Sequence, residues 1–269
     1  ALWAFFKALG IKDSEIIMPA YTCSVVAHSV TLSGNIPRFI DIDLYDYNMN
    51  LDELAGLINR KTRAVVSTHL FGYPLNIDKL GSIISAAERK YEQKIWVIQD
   101  CAHSFGAYYK GRIVGSSGDA TIYALNISKM ITSIFGGMIT FSDKELASKV
   151  RAWRNEQFIA PTRLKSLKRR AYLICTFIVF NKTFYKLVDL LKKKTSLLKA
   201  ATHAYHLDNK IHFPPDYLDN MLNVEAAVGL VNLKKYSSIT KRRQHKARYY
   251  DNYLKRYPGW VYPPIIEGA

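Results

Sequence analysis

The chain has 269 residues, 49% of them hydrophobic and 13% aromatic, and its 38 basic and 22 acidic residues give a formal charge of +16. That length bounds it to one or two domains, and that much apolar side chain excludes an intrinsically disordered chain. Three scattered cysteines, Cys23, Cys101 and Cys175, make neither a disulfide framework nor a zinc site, which points to a reducing, cytoplasmic setting.

In chain order, Leu2–Leu9 has helical spacing and ends at Gly10. Ala1 already lies in this pattern and the chain stops after Pro263-Pro264 with no closing element, so truncation at both ends is expected. Glu15–Met18 is a short strand ended by Pro19, and Ser24–Leu32 is a helix stopped by Ser33-Gly34. Arg38–Ile42 is a second strand. Asn50, with Glu53 three residues on, starts a helix striped by Leu51, Leu54, Leu57 and Ile58. Ala64–Thr68 is a strand, Ile77–Tyr91 a helix and Ile95–Ile98 a strand that runs into the acid Asp100. Ala120–Leu125 and Met138–Phe141 are strands, and Ser142-x-x-Glu145 caps a helix bearing Leu146, Ala147, Val150 and Trp153. Strands alternating with helices imply βαβ units and a parallel-rich sheet covered on both faces. Neither Gly-x-Gly-x-x-Gly nor a P-loop is present.

The later chain differs. Lys165, Lys168, Arg169 and Arg170 precede the apolar run Ala171–Phe180, and Lys192-Lys193-Lys194 close the segment. Ten such residues are too few for a bilayer span, which needs roughly 20. Residues 163–194 are read as a helix that either packs on the domain or its dimer mate or lies on an anionic membrane surface. Much of the positive charge lies beyond residue 160. An excess of this kind suits nucleic acid, an anionic membrane or anionic substrates, and no nucleic-acid partner is expected. Ala200–Pro215 reads as a connector, Asn223–Tyr253 as one long helix and Tyr257-Pro258-Gly259 as a turn.

The stretch Lys94–Gly137 carries the chemistry. A strand ending in a carboxylate places a charge at the carboxyl edge of a parallel sheet, where α/β proteins bind ligands. A lysine, Lys129, follows in a polar turn before Gly136-Gly137. A lysine amine can bond a carbonyl cofactor, and an acid can hold a pyridinium nitrogen protonated. The ordered words Met18-Pro19-Ala20-Tyr21-Thr22, Phe39-Ile40-Asp41-Ile42-Asp43, His69-Leu70-Phe71-Gly72-Tyr73-Pro74, Asp100-Cys101-Ala102-His103 with Gly106, and Lys129 before Gly136-Gly137 resemble the DegT/DnrJ/EryC1/StrS family. The resemblance runs from Ala1 to about Asn155 and resumes over Tyr217–Tyr253.

That resemblance implies fold type I, an α/β fold with a parallel-rich mixed sheet flanked by helices. It implies pyridoxal 5'-phosphate as cofactor, a nucleotide-linked keto-sugar as substrate, an amino-acid donor such as glutamate, and a homodimer. The expected organisation is a large cofactor-binding domain over 1–157, a helical insertion and connector over 158–212, and a long helix opening an incomplete small domain over 213–269. Lys129 matches the lysine that bonds the cofactor and moves the proton. Asp100 matches the partner of the ring nitrogen, His103 a residue near the phenolic oxygen and Ala102 the small residue on the ring face. Tyr21 and His69 match a substrate-side loop, His69 reading equally as a core histidine. Retained Lys129 disfavours the family's dehydratase branch, where His replaces it.

The chain also departs from the family. Ala124 stands where a phosphate-binding Ser is common, leaving Asn126 and Ser128 as nearby candidates. Leu218 and Asn220 stand where an Asn and an Arg reach the neighbouring subunit's phosphate, and Cys23 where an aromatic stacks on the ring. Each lost charge-assisted contact weakens cofactor binding by roughly 1.5–3 kcal/mol. A catalytically weak homologue serving as partner subunit is therefore the alternative reading.

Overall fold

The computed structural model describes residues 1–179, 181, 183 and 211–259. Eight strands are described: β1 (Glu15–Pro19), β2 (Ile36–Ile40), β3 (Thr62–Thr68), β4 (Trp96–Asp100), β5 (Tyr108–Tyr109), β6 (Arg112–Ile113), β7 (Ala120–Ala124) and β8 (Gly137–Phe141). The described helices are α1 (Leu2–Leu9), α2 (Ser24–Leu32), α3 (Leu51–Leu57), α4 (Ile77–Tyr91), α5 (Lys144–Gln157), α6 (Arg163–Val179), α7 (Asn223–Lys234) and α8 (Tyr236–Leu254). Six strands form one sheet in the order β2-β1-β3-β4-β7-β8. All its pairings are parallel except β7 with β8.

The period-2 alternation of the strands sorts the core into two layers. Ile16, Met18, Ala64, Val66 and Ile98 face Phe5, Phe6, Val30, Leu146 and Val150 of α1, α2 and α5. Ile17, Val65 and Val97 face Leu51, Leu54, Leu80 and Ile84 of α3 and α4. Burying side chains of this size contributes about 1.5–3 kcal/mol each, so both helical layers are held chiefly by apolar burial. With both faces covered, ligands can reach the sheet only at its strand ends.

Several boundaries differ from the sequence reading. β2 begins two residues early, because Glu15 pairs with Ile36 and sets the register. Asp143, not Ser142, caps α5: its carboxylate accepts the Leu146 N–H at 2.6 Å. Ser142 instead donates its hydroxyl to the Gly118 carbonyl at 2.5 Å. The expected single helix over 223–253 breaks at Lys235, whose φ of −92° and ψ of 0° end α7. The break turns Tyr236 toward the loop after β4, where its ring meets Phe105 at 5.7 Å. The second half of the basic segment, including Lys192-Lys193-Lys194, lies outside the described residues, as does much of the 200–215 connector.

Candidate active site

The site is built where β1, β3, β4 and β7 end. Parallel register sets Thr68 beside Asp100 and Asp100 beside Ile122. Asp100 is 3% exposed. Its Oδ1 accepts the Ala102 N–H at 3.0 Å, an Asx-type turn that fixes Ala102 directly above the strand end. The Thr68 hydroxyl donates to the same carboxylate. Thr22 lies 3.2 Å from the Thr68 hydroxyl oxygen; since the carboxylate takes the Thr68 proton, Thr22 is the donor in that contact. Burial raises the Asp100 carboxyl above its ordinary range, against the opposing pull of the Ala102 N–H, the Lys129 charge and the Thr68 hydroxyl.

Lys129 sits on the turn after β7. Its N–H bonds the Asn126 carbonyl at 3.0 Å, and the Asn126 side chain accepts both the Ser128 N–H at 3.2 Å and the Ser128 hydroxyl at 2.8 Å. Asn126 and Ser128 therefore shape this turn first, and both remain exposed. Lys129 is half-buried, and its charge acts on two neighbours. It opposes the rise of Asp100 and, after the larger effect of partial burial, helps hold His103 below the usual imidazole range. Asp100, His103 and Lys129, 29 residues apart at the extremes, are thus within electrostatic reach of one another at one sheet edge.

The flanking residues divide. Tyr21 is 51% exposed and its ring lies 6.3 Å from Phe71, whose own ring stacks on His103 at 6.2 Å and 21°. Phe71 holds a left-handed φ of 56°, a conformation a bulky residue seldom adopts without outside support. Tyr21 is thereby joined to the cluster through Phe71. His69 is not available to a substrate. It is fully buried: its Nδ1 accepts the Leu75 N–H at 3.0 Å, so Nε2 carries the proton and meets Gln99 Oε1 at 2.7 Å. The expectation of substrate contact at His69 is corrected to a core histidine, which burial depresses to about 4. Cys101 is likewise buried, its thiol pushed up to about 12 and so unreactive.

Three features were not read from sequence. The Thr22–Thr68–Asp100 chain is one; Thr68 at the end of a predicted strand beside Asp100's strand was its only signal. Another is Gly106, whose φ of 72° and missing side chain make room for the Tyr236 hydroxyl, which donates to the Gly106 carbonyl at 3.3 Å. The third is the contact of α6 and α7 with the Lys129 loop. Asn232 Nδ2 donates to the Thr132 carbonyl at 3.3 Å, and Lys165 and Arg169 of α6 pair with Asp219 and Asp216. Leu218 and Asn220 form a backbone ladder with Ile159, through N···O contacts of 2.8 and 3.1 Å. Among the described residues, no group of His, Cys, Asp and Glu side chains could hold a metal ion.

The fold is α/β, a mostly parallel six-stranded sheet flanked by helices. The sequence model of the DegT/DnrJ/EryC1/StrS aminotransferase family matches residues 1–169 and 187–268, and the chain belongs to that family, which is dependent on pyridoxal phosphate. It is 28% identical over 271 residues to the spore coat polysaccharide biosynthesis protein SpsC of Bacillus subtilis, covering 99% of this chain and 58% of that one. It is 36% identical over 157 residues to the GDP-perosamine synthase of Caulobacter vibrioides, covering 58% of this chain and 41% of that one. The fold is similar to the crystal structure of the sugar aminotransferase CalS13 from Micromonospora echinospora, with a TM-score of 0.71 and 22% identity over 99% of this chain and 61% of the other. The chain spans about half the length of the curated relatives it matches.

Proposed function

We propose that the protein is a pyridoxal-phosphate-dependent aminotransferase that moves an amino group, from glutamate, to a nucleotide-linked keto-sugar used in polysaccharide or glycosylated-metabolite synthesis. The observation that carries this reading is the placement of a buried Asp100 carboxylate and the Lys129 amine at one end of the sheet, with His103 beside both. The residues suit the cofactor. Asp100 accepts from two donors, the Ala102 N–H and the Thr68 hydroxyl, and both favour the charged form that a partner for a ring nitrogen needs. Ala102, fixed by its bond to Asp100, offers a ring face no bulk. Asn126 and Ser128 are the polar candidates on the turn after Ala124, which itself has no donor side chain. Tyr21, in contact with Phe71, is proposed to meet the substrate.

Pyridoxal phosphate, when bound, would supply an electron sink next to the substrate carbon. The protein would supply the rest. Asp100 would hold the ring nitrogen protonated. Lys129 Nζ would hold the cofactor's carbonyl end and, when free, would move a proton at the substrate carbon. Thr68 and Ala102 keep the Asp100 oxygens aimed while this happens.

Borohydride treatment of the full-length protein with pyridoxal phosphate is expected to fix the cofactor to the peptide containing Lys129, and Lys129→Ala to abolish the label. Glutamate alone is expected to convert the bound cofactor to its amine form, since the donor half-reaction needs no sugar. A full-length protein that takes up no cofactor at saturation favours the second reading, a non-catalytic partner subunit. Ala124, Leu218 and Asn220 favour that reading, because none of them offers a phosphate a charged contact.

A further inference from the structure

We propose that Arg169 is a positioning residue that clamps the Lys129 loop through Phe135; its functional consequence rests on the role of Lys129 proposed above. Arg169 lies on α6 with its side chain 15% exposed. Its Nη2 donates to Asp216 Oδ2 at 2.7 Å, and its Nε lies 3.5 Å from Glu225 Oε1. Glu225 is itself held, its other oxygen accepting the Leu222 N–H at 2.9 Å at the start of α7. With its nitrogens on two carboxylates, the guanidinium sits over Phe135, its central carbon 3.7 Å from the ring centroid. Tyr172, one turn further along α6, meets the same ring at 5.2 Å. Only arginine combines a planar face with a fork of donors in this way.

Phe135 lies in the closing arm of the loop that carries Lys129, two residues before β8, and that loop needs bracing. Its neighbour Ile134 has a φ of 74°, a left-handed conformation that a β-branched residue seldom adopts without outside support. Inside the loop, Ser133 N–H bonds the Leu125 carbonyl at 2.9 Å and Leu125 N–H bonds the Gly136 carbonyl at 3.1 Å. From outside, Met221 closes on Gly136 and Asn232 holds Thr132. Arg169 joins the three parts: the helix α6, the segment leading into α7, and the closing arm of the Lys129 loop. An ion pair that merely fastened α6 to residues 216–225 would have no need of the ring contact.

The test is hydrogen exchange of residues 125–136 in the full-length protein without cofactor, followed by borohydride labelling of Lys129. Arg169→Met is expected to speed exchange of the Leu125 and Ser133 amides about tenfold while β3 and β4 keep wild-type rates, as a local opening requires. Arg169→Lys keeps the charge for Asp216 but not the planar face, and is expected to loosen the loop as much as Arg169→Met. Phe135→Leu is expected to do the same, and the double variant to add nothing, because both act through one contact. Should Arg169→Met fail to fold, Phe135→Leu and Arg169→Lys still decide the matter. Wild-type exchange in Arg169→Lys, or additive effects in the double variant, overturns the clamp. A loosened loop with undiminished labelling of Lys129 at subsaturating pyridoxal phosphate overturns the positioning role. A wild-type protein that binds no cofactor defeats the proposed function instead, and the exchange comparison still decides the clamp.

Discussion

Asp100 ends β4 and His69 directly follows the neighbouring β3, yet their surroundings give them opposite duties. Asp100 is aimed outward by Ala102 and Thr68, and its buried position lifts its carboxyl. Asp100→Asn is expected to bind pyridoxal phosphate but to transaminate poorly, since a neutral amide cannot hold the ring nitrogen protonated; unchanged turnover would remove Asp100 from this role. His69 is sealed between Leu75 and Gln99 and stays neutral down to about 4. The unfolded chain binds a proton there from about pH 6.5 downward, so folding loses stability as pH falls through that window. The loss amounts to roughly 3 kcal/mol by pH 4. Urea unfolding across the range is expected to show the gap between wild type and His69→Gln narrowing as pH falls, and a constant gap would contradict it.

At the scale of elements, α6 is the instructive case. Its sequence, basic residues then an apolar run, suits a packed helix first, since apolar runs of this length are more often core, and a membrane surface second. The structure turns Lys165 and Arg169 inward to Asp219, Asp216 and Glu225, leaving Leu164, Leu167 and Ile174 exposed. No helix among the described residues is long and apolar enough to cross a membrane. Two of the charges a lipid headgroup would need are already paired, so α6 is proposed as a packing element. Full-length protein is expected to stay in the supernatant with both anionic and neutral vesicles; pelleting with anionic vesicles alone, reversed by salt, would restore the membrane reading.

At the scale of the whole molecule, apolar side chains on α7 and α8 lack cover. Leu230, Val231 and Leu233 are 61%, 51% and 47% exposed, and Tyr249, Tyr250 and Tyr253 stand along α8. A second copy of the chain is proposed to cover this surface. Light scattering is expected to report a dimer at micromolar concentration, and a stable monomer would count against it. The division into a large domain over 1–157, an insertion over 158–212 and a small domain beginning at 213 stands as a proposal carried by the family resemblance and by the change to a basic and apolar sequence after residue 157.

The sequence by itself determined the alternation of strands and helices, because buried strands and amphipathic helices carry their periods locally. α1, α2 and α4 lie where spacing and end signals put them. Asp100 and Lys129 were also legible, since their neighbouring words are contiguous in the chain. Only the tertiary structure decided which polar residues face outward. His69 and Asp100 both follow apolar strands, and nothing local shows that one is enclosed by Leu75 and Gln99 while the other faces Lys129. The break at Lys235 and the stack of Arg169 on Phe135 were equally invisible. Each depends on side chains many residues apart, brought together when α6, α7 and α8 settle on the loops at the sheet's edge. A periodic pattern records the face an element buries, but not which partner will meet it there.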